Sequence, residues 1–175
     1  LKKSKIILCI SKIQKKQIEK YFIISNEKTL FFPNLSILNI NNLTINYDNK
    51  KSYKKDLSLI FIGPVIKSKG IEFLLDCLFG CHKGPLLNKS YSLTIVGKIV
   101  EKEILHAYEN LIFNYKIKLM GELNHSSAMN ELASSNILIL PSFSEGMPYV
   151  ILESLLMNIP VICTNVGYIS EILGD

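Results

Sequence analysis

Ile137-Leu138-Ile139-Leu140-Pro141-Ser142-Phe143-Ser144-Glu145-Gly146-Met147-Pro148-Tyr149-Val150-Ile151-Leu152-Glu153 reads as strand, loop and helix in immediate succession. The apolar run Ile137 to Leu140 has the character of a buried strand, and Pro141 ends it because proline cannot donate to a ladder. A polar loop follows, and Pro148 stands where a helix would begin. One carboxylate, Glu145, lies in the loop; a second, Glu153, comes about two turns into the helix. Free N–H groups around Met147 to Val150 would face an incoming ligand, and the positive end of the helix favours an anion. A carboxylate that accepts hydrogen bonds beside an anion cradle suits a ligand with both phosphates and hydroxyls, such as a nucleotide-sugar.

Outward from this stretch the chain alternates strand and helix. Strands are expected near Ser58–Ile62, Ser92–Val96, Ile117–Met120, Ile137–Leu140 and Val161–Thr164. Helices are expected over Ile71–Cys81, Glu101–Asn114, Ser126–Ser135 and Tyr149–Met157. Near-continuous apolar strands with helical spacers predict an α/β fold, a Rossmann-like parallel sheet with helices on both faces. Ligands of such sheets bind outside the carboxyl ends of the strands. Gly63, Gly97, Gly121 and the Ser142–Gly146 loop all follow strand ends, so the site is expected on one rim. Before this region, Ile6–Ser11 and Thr29–Phe32 read as short strands. Lys12–Phe22 between them reads as an amphipathic helix with Ile13, Ile18, Tyr21 and Phe22 near one face. Leu35 to Asp56 is rich in Asn and Lys and prone to turns, as a linker would be.

The motif Glu145-x7-Glu153 resembles the E-x7-E signature of glycosyltransferase family 4, retaining enzymes with two Rossmann-like domains (the GT-B architecture). Ser154 through Gly167 resembles that family's next helix and strand. Leu59-Ile60-Phe61-Ile62-Gly63 through Lys69-Gly70 resembles its first strand and glycine-rich loop. Leu93-Thr94-Ile95-Val96-Gly97 and Ile117-Lys118-Leu119-Met120-Gly121 resemble the second and third strands. Two glutamates eight apart are common; five such elements in order are not.

The resemblance implies a truncated C-terminal domain of a GT-B enzyme. Residues 1–34 would be the tail of the N-terminal acceptor domain, 35–56 the interdomain linker, and 57–175 the nucleotide-sugar-binding domain. It implies retaining sugar transfer from a UDP- or GDP-sugar to a hydroxyl of a glycan or lipid-linked acceptor, with no cofactor and no metal. The Glu145-to-Tyr149 variant is similar to bacterial capsular or exopolysaccharide enzymes. Glu153 would accept hydrogen bonds from the donor ribose, since two carboxylate oxygens match a vicinal diol. Glu145 would hold the transferred sugar and steady charge at its anomeric carbon. Lys69 would neutralise the leaving diphosphate. Gly63, Gly97 and Gly121 would belong to the donor site, and Gly146 would serve a close backbone approach or a positive φ. Met147, Tyr149 and Val150 would line the donor site, the last two through their N–H groups.

Met147 and Pro148 replace the commoner Phe-Gly of the family, a variant compatible with backbone recognition, and a sharper departure lies upstream. Pro64 stands where an arginine usually follows the first glycine, and a planar fork of donors is not replaced by a lysine elsewhere without loss. Lys67 or Lys98 would have to compensate. The departure keeps open a degenerate nucleotide-sugar-binding module, and a GT-B nucleotide-sugar epimerase is a further alternative. Gly63 to Gly70 is not a Walker-type phosphate loop, because no Gly-Lys-Ser/Thr follows.

The bulk properties agree with this reading. The 175 residues are 48% apolar, enough for a packed core, and no apolar run reaches the roughly 18 residues a membrane helix needs. The net charge is +5 and every cation is Lys. Apart from Lys50-Lys51 and Lys54-Lys55 the lysines are dispersed, which favours a solvated, charge-rich surface over nucleic acid, with peripheral attraction to the inner face of a plasma membrane as the second reading. Cys9, Cys77, Cys81 and Cys163 lack disulfide or zinc spacing, as expected in a cytoplasm. Cys77, Cys81 and His82 could offer three metal ligands, without a fourth. His106 and His125 have no partner legible in the sequence, although His125 follows Gly121 closely enough to approach a nucleotide base. The start at Leu1-Lys2-Lys3 and the stop at Gly174-Asp175 lead us to expect a piece of a longer protein, inactive in transfer on its own.

Overall fold

The computed structural model describes residues 5–32, 57–81, 91–114 and 116–173. The expected linker 35–56 and His82 lie outside the described residues. The chain divides into two compact units: residues 1–42, 145–148 and 165–175 form the first, and residues 43–144 and 149–164 form the second.

The first unit contains β1 (Ile7–Cys9), α1 (Lys12–Phe22), β2 (Thr29–Phe31) and α7 (Ile169–Leu173). Strands β1 and β2 pair in parallel, Leu8 opposite Leu30. Ser11 caps α1: its Oγ accepts from the Gln14 N–H at 2.9 Å, and Gln14 Oε1 accepts from the Ile10 N–H at 2.8 Å. Glu171 completes the start of α1, its two oxygens accepting from the N–H groups of Lys12 and Ile13 at 2.9 and 2.7 Å. Orphan donors at a helix start are thus met by side chains, one of them charged. The apolar stripe expected on α1 is present, but none of the helix is buried; Tyr21 and Phe22 stand exposed.

The second unit is a five-stranded parallel sheet in the order β5-β4-β3-β6-β7. Its strands are β3 (Leu57–Ile62), β4 (Tyr91–Val96), β5 (Ile117–Gly121), β6 (Ile137–Leu140) and β7 (Val161–Cys163), each within a residue of its expected bounds. Helices α2 (Ile71–Cys81), α3 (Lys102–Ala107), α4 (Glu109–Asn114), α5 (His125–Ala133) and α6 (Tyr149–Leu156) flank it. On one face Ile60, Val96 and Leu138 pack with Ala128, Met129 and Leu132 of α5 and with Met157 and Ile159 after α6. Leu59 and Phe61 alternate to the opposite face and are buried as well. Withdrawing each such side chain from water contributes roughly 1.5–3 kcal/mol, and burial on both faces explains why the strands read as unbroken apolar runs. Register at the strand starts is set by Asn136, whose Oδ1 accepts from both the N–H and hydroxyl of Ser58 at 2.8 and 2.7 Å.

One expected element is corrected. The single helix over Glu101–Asn114 is two, broken at Tyr108, which has φ −112°. The Tyr108 hydroxyl donates to Asp76 Oδ1 on α2 at 2.5 Å, a contact no periodicity announces. Burial, reinforced by that carboxylate, pushes the phenol up to about 12, so it stays a donor across the ordinary pH range.

Candidate functional site

Sheet order places the functional rim. Strands β3 and β6 are neighbours in space, and the chain winds outward from them in opposite directions, β4 and β5 to one side and β7 to the other. That switch point leaves a crevice beyond the carboxyl ends of β3 and β6. The loops there approach closely. Gly70, at φ +68°, lies so near the β6 loop that a Cβ on it would sit 1.9 Å from the Pro141 carbonyl oxygen. The Phe143 N–H donates to the Ser68 carbonyl at 2.9 Å and ties the same loops together.

The glycines form a continuous edge. The Gly63 N–H donates to Val96 O at 2.9 Å and the Gly97 N–H to Gly121 O at 2.8 Å, stepping along the ends of β3, β4 and β5. A Cβ on Gly97, at φ +146°, would stand 1.9 Å from Gly63 O. Gly121, at φ +67°, faces open space, so its glycine answers to backbone conformation rather than crowding. Pro64 and Lys98 lie on adjacent loops: Val65 and Ile99 form a parallel bridge, and the Val65 N–H donates to Lys98 O at 2.9 Å. Lys69 is half-buried and ends a 3₁₀ turn, Lys67–Lys69, that Gly70 closes. Lys67 and Lys98 are exposed.

Tyr149 and Val150 open α6 and are half-buried. Glu153, in the middle of that helix, is buried, its side chain 10% exposed. His125 Nε2 lies 2.6 Å from Glu153 Oε1. An ionised carboxylate can only accept, so the ring nitrogen is the donor. The expectation that His125 has no partner is therefore corrected. Its signal is absent from the sequence because a separation of 28 positions carries no spacing rule; only the packing of α5 on α6 brings them together. His106 is exposed in the last turn of α3.

Glu145, Gly146 and Met147 belong to the first unit. Glu145 is half-buried, and its backbone is braced from behind. A Cβ on Gly167, at φ +61°, would stand 2.0 Å from Glu145 O, and the Tyr168 N–H donates to Gly146 O at 3.2 Å. Among the described residues no group of three His, Cys, Asp or Glu could hold a metal ion, and no helix is long and apolar enough to cross a membrane.

This edge of glycines at a switch point, with a buried carboxylate on the following helix, accompanies a match over residues 45–175 to the family Glycosyl transferases group 1. The chain belongs to that family. Among group 1 relatives, the Staphylococcus aureus capsular polysaccharide biosynthesis glycosyltransferase CapH is 31% identical over 135 residues, 75% of this chain and 37% of CapH. The uncharacterized glycosyltransferase MJ1178 of Methanocaldococcus jannaschii is 26% identical over 169 residues, 97% of this chain and 42% of its own length. The chain thus spans about two fifths of these relatives. The crystal structure of a Rickettsia africae glycosyltransferase superposes with a TM-score of 0.71 at 20% identity, over 98% of this chain and 47% of that one; it attests the shared GT-B-like fold.

Proposed function

We propose that this chain is the donor-binding part of a retaining family 4 glycosyltransferase that moves a sugar from a nucleotide-diphosphate donor to a hydroxyl acceptor in bacterial surface polysaccharide synthesis. The observation that carries the reading is Glu153, a carboxylate withdrawn from water at the ligand-binding rim of a group 1 domain. A group so placed is costly unless it is bonded; His125 meets one of its oxygens, and donor hydroxyls are the partners this reading gives the other.

In this proposal residues 1–34 end the acceptor domain, 35–56 link, and 57–175 hold the donor. Gly63, Gly97 and Gly121 let the nucleotide approach the backbone. Tyr149 and Val150 N–H groups, with Lys69, take the diphosphate, and Gly146 and Met147 shape the wall. Glu145 supports the sugar and the positive charge that grows at its anomeric carbon. The donor is a UDP- or GDP-sugar and the acceptor a glycan or lipid-linked glycan at the inner face of the plasma membrane; no cofactor takes part. Pro64 favours a second reading, a nucleotide-sugar-binding module without transfer, because it removes a cation from the diphosphate. Lys67, in the same loop, or Lys98, on the adjacent one, would have to restore it.

The test is Glu145→Ala in the full-length enzyme. Turnover should fall about 100-fold or more while donor affinity changes little, as for a group that acts on transition-state charge. The product anomer, read by NMR, should match that of the donor. Inversion, or an unchanged turnover, removes the mechanism.

A further inference from the structure

We infer that His125 is the positioning residue for Glu153, holding one carboxylate oxygen so that the other is presented to the donor ribose; this rests on the donor-binding reading above. Three observations meet here. First, Oε1 is tethered: the imidazole Nε2 stands 2.6 Å from it, the side-chain contact that the described residues give Glu153. Second, no buried side-chain oxygen among the described residues lacks a hydrogen-bond partner. Oε2, which has no such bond within them, therefore keeps some contact with solvent, and that open side is the one assigned to the ribose. Third, the tether itself is anchored. His125 is the first residue of α5, and Asn124 caps that helix, its Oδ1 accepting from the Ser127 N–H at 2.9 Å. Ala128, Met129 and Leu132 then lock α5 into the core that also holds Met157, just past Glu153.

The asymmetry of exposure assigns the roles. Glu153 is 10% exposed and His125 is 69% exposed. A ring so open to water gains little from the bond for its own sake, whereas a nearly buried carboxylate needs a donor to stay where it is. Without the imidazole the carboxylate would be underbonded and free to turn away from the opening. His125 touches the carboxylate and, in this assignment, acts on the donor through it.

The experiment measures binding of UDP and GDP, each beside its 2′-deoxy counterpart, by titration calorimetry on the purified protein. The ratio of ribo- to deoxyribonucleotide affinity reports the Glu153–hydroxyl bond, and a charge-assisted bond makes that ratio about ten-fold or more. His125→Ala should collapse the ratio towards unity, as Glu153→Gln does, and the double variant should add nothing. His125→Gln, which keeps an N–H donor, should restore the ratio; His125→Met, which keeps bulk alone, should not, and this pair decides the matter if the alanine variant is unstable. A His125→Ala protein that binds both nucleotides more weakly with the ratio intact overturns the positioning role. If Glu153→Gln itself leaves the ratio unchanged, the ribose reading fails instead.

Discussion

The two units of this chain are held together by different physics. In the second, buried Leu, Ile, Val, Phe and Met line both faces of a five-stranded sheet, and backbone packs on backbone where Gly70 meets Pro141 and Gly97 meets Gly63. In the first, Ile7, Cys9 and Ile169 are the buried apolar residues among those described, while Leu8, Tyr21, Phe22, Leu30 and Phe31 are exposed. Its order comes from polar side chains instead: Ser11 and Glu171 at the start of α1, and a cluster in which Lys15 and Thr29 both bond to Glu19. A deep core tolerates little change in volume; a set of polar contacts, most of them partly open to water, is worth less per contact and answers to pH and salt.

Substitutions should reproduce that contrast. The largest effect is expected from Phe61→Ala, which empties a fully buried ring position in β3; about 3–5 kcal/mol should be lost. Hydrogen exchange should show protection falling across β3 to β7. Equal loss at the amides of α1 would mean that the units do not unfold separately, and the comparison would break. Next, Glu171→Ala strips both acceptors from the Lys12 and Ile13 N–H groups. It should cost about 1 kcal/mol, the usual worth of a helix cap, and should appear as faster exchange at those amides with the sheet unaffected.

The smallest effect sharpens the contrast through pH. The hydrogen bond from Lys15, with a second from Thr29, holds the Glu19 carboxyl below the ordinary glutamate range. A depressed folded value means that Glu19 stabilises above its unfolded pKa of about 4.3. That contribution is lost as pH falls through the lower, folded value. Acid titration followed by NMR should therefore loosen the turn around Thr29 before the sheet responds, and Glu19→Gln should remove this step.

Much of the second unit was legible in the sequence because its rules are local. Apolar runs bounded by glycine or proline mark β3, β4 and β6, and the glycines at the ends of β3, β4 and β5 mark the rim. The break at Tyr108 was hidden because propensity alone continues a helix through that tyrosine, and its bond to Asp76, 32 positions earlier, has no local signal. At the candidate site, sequence spacing singled out Glu153 but gave its helix face no depth; that the carboxylate is nearly covered follows from α5 lying against α6. His125 was passed over for the same reason, since its partner lies on another helix. In the first unit the periodicity of α1 was visible, yet periodicity says only which residues share a face, not whether anything covers that face.

The close approach of Gly70 to Pro141 also bears on how such a domain can diversify. Two loops joined backbone to backbone cannot change length independently, for an insertion in either would push the other aside. They are inherited, or grafted, as a pair. The turn at Gly121 has empty space where a Cβ would point, and it leads within four residues to His125. That end of the rim is uncrowded, yet the φ of +67° still holds position 121 to glycine, so variation there falls to the residues that follow and not to Gly121 itself.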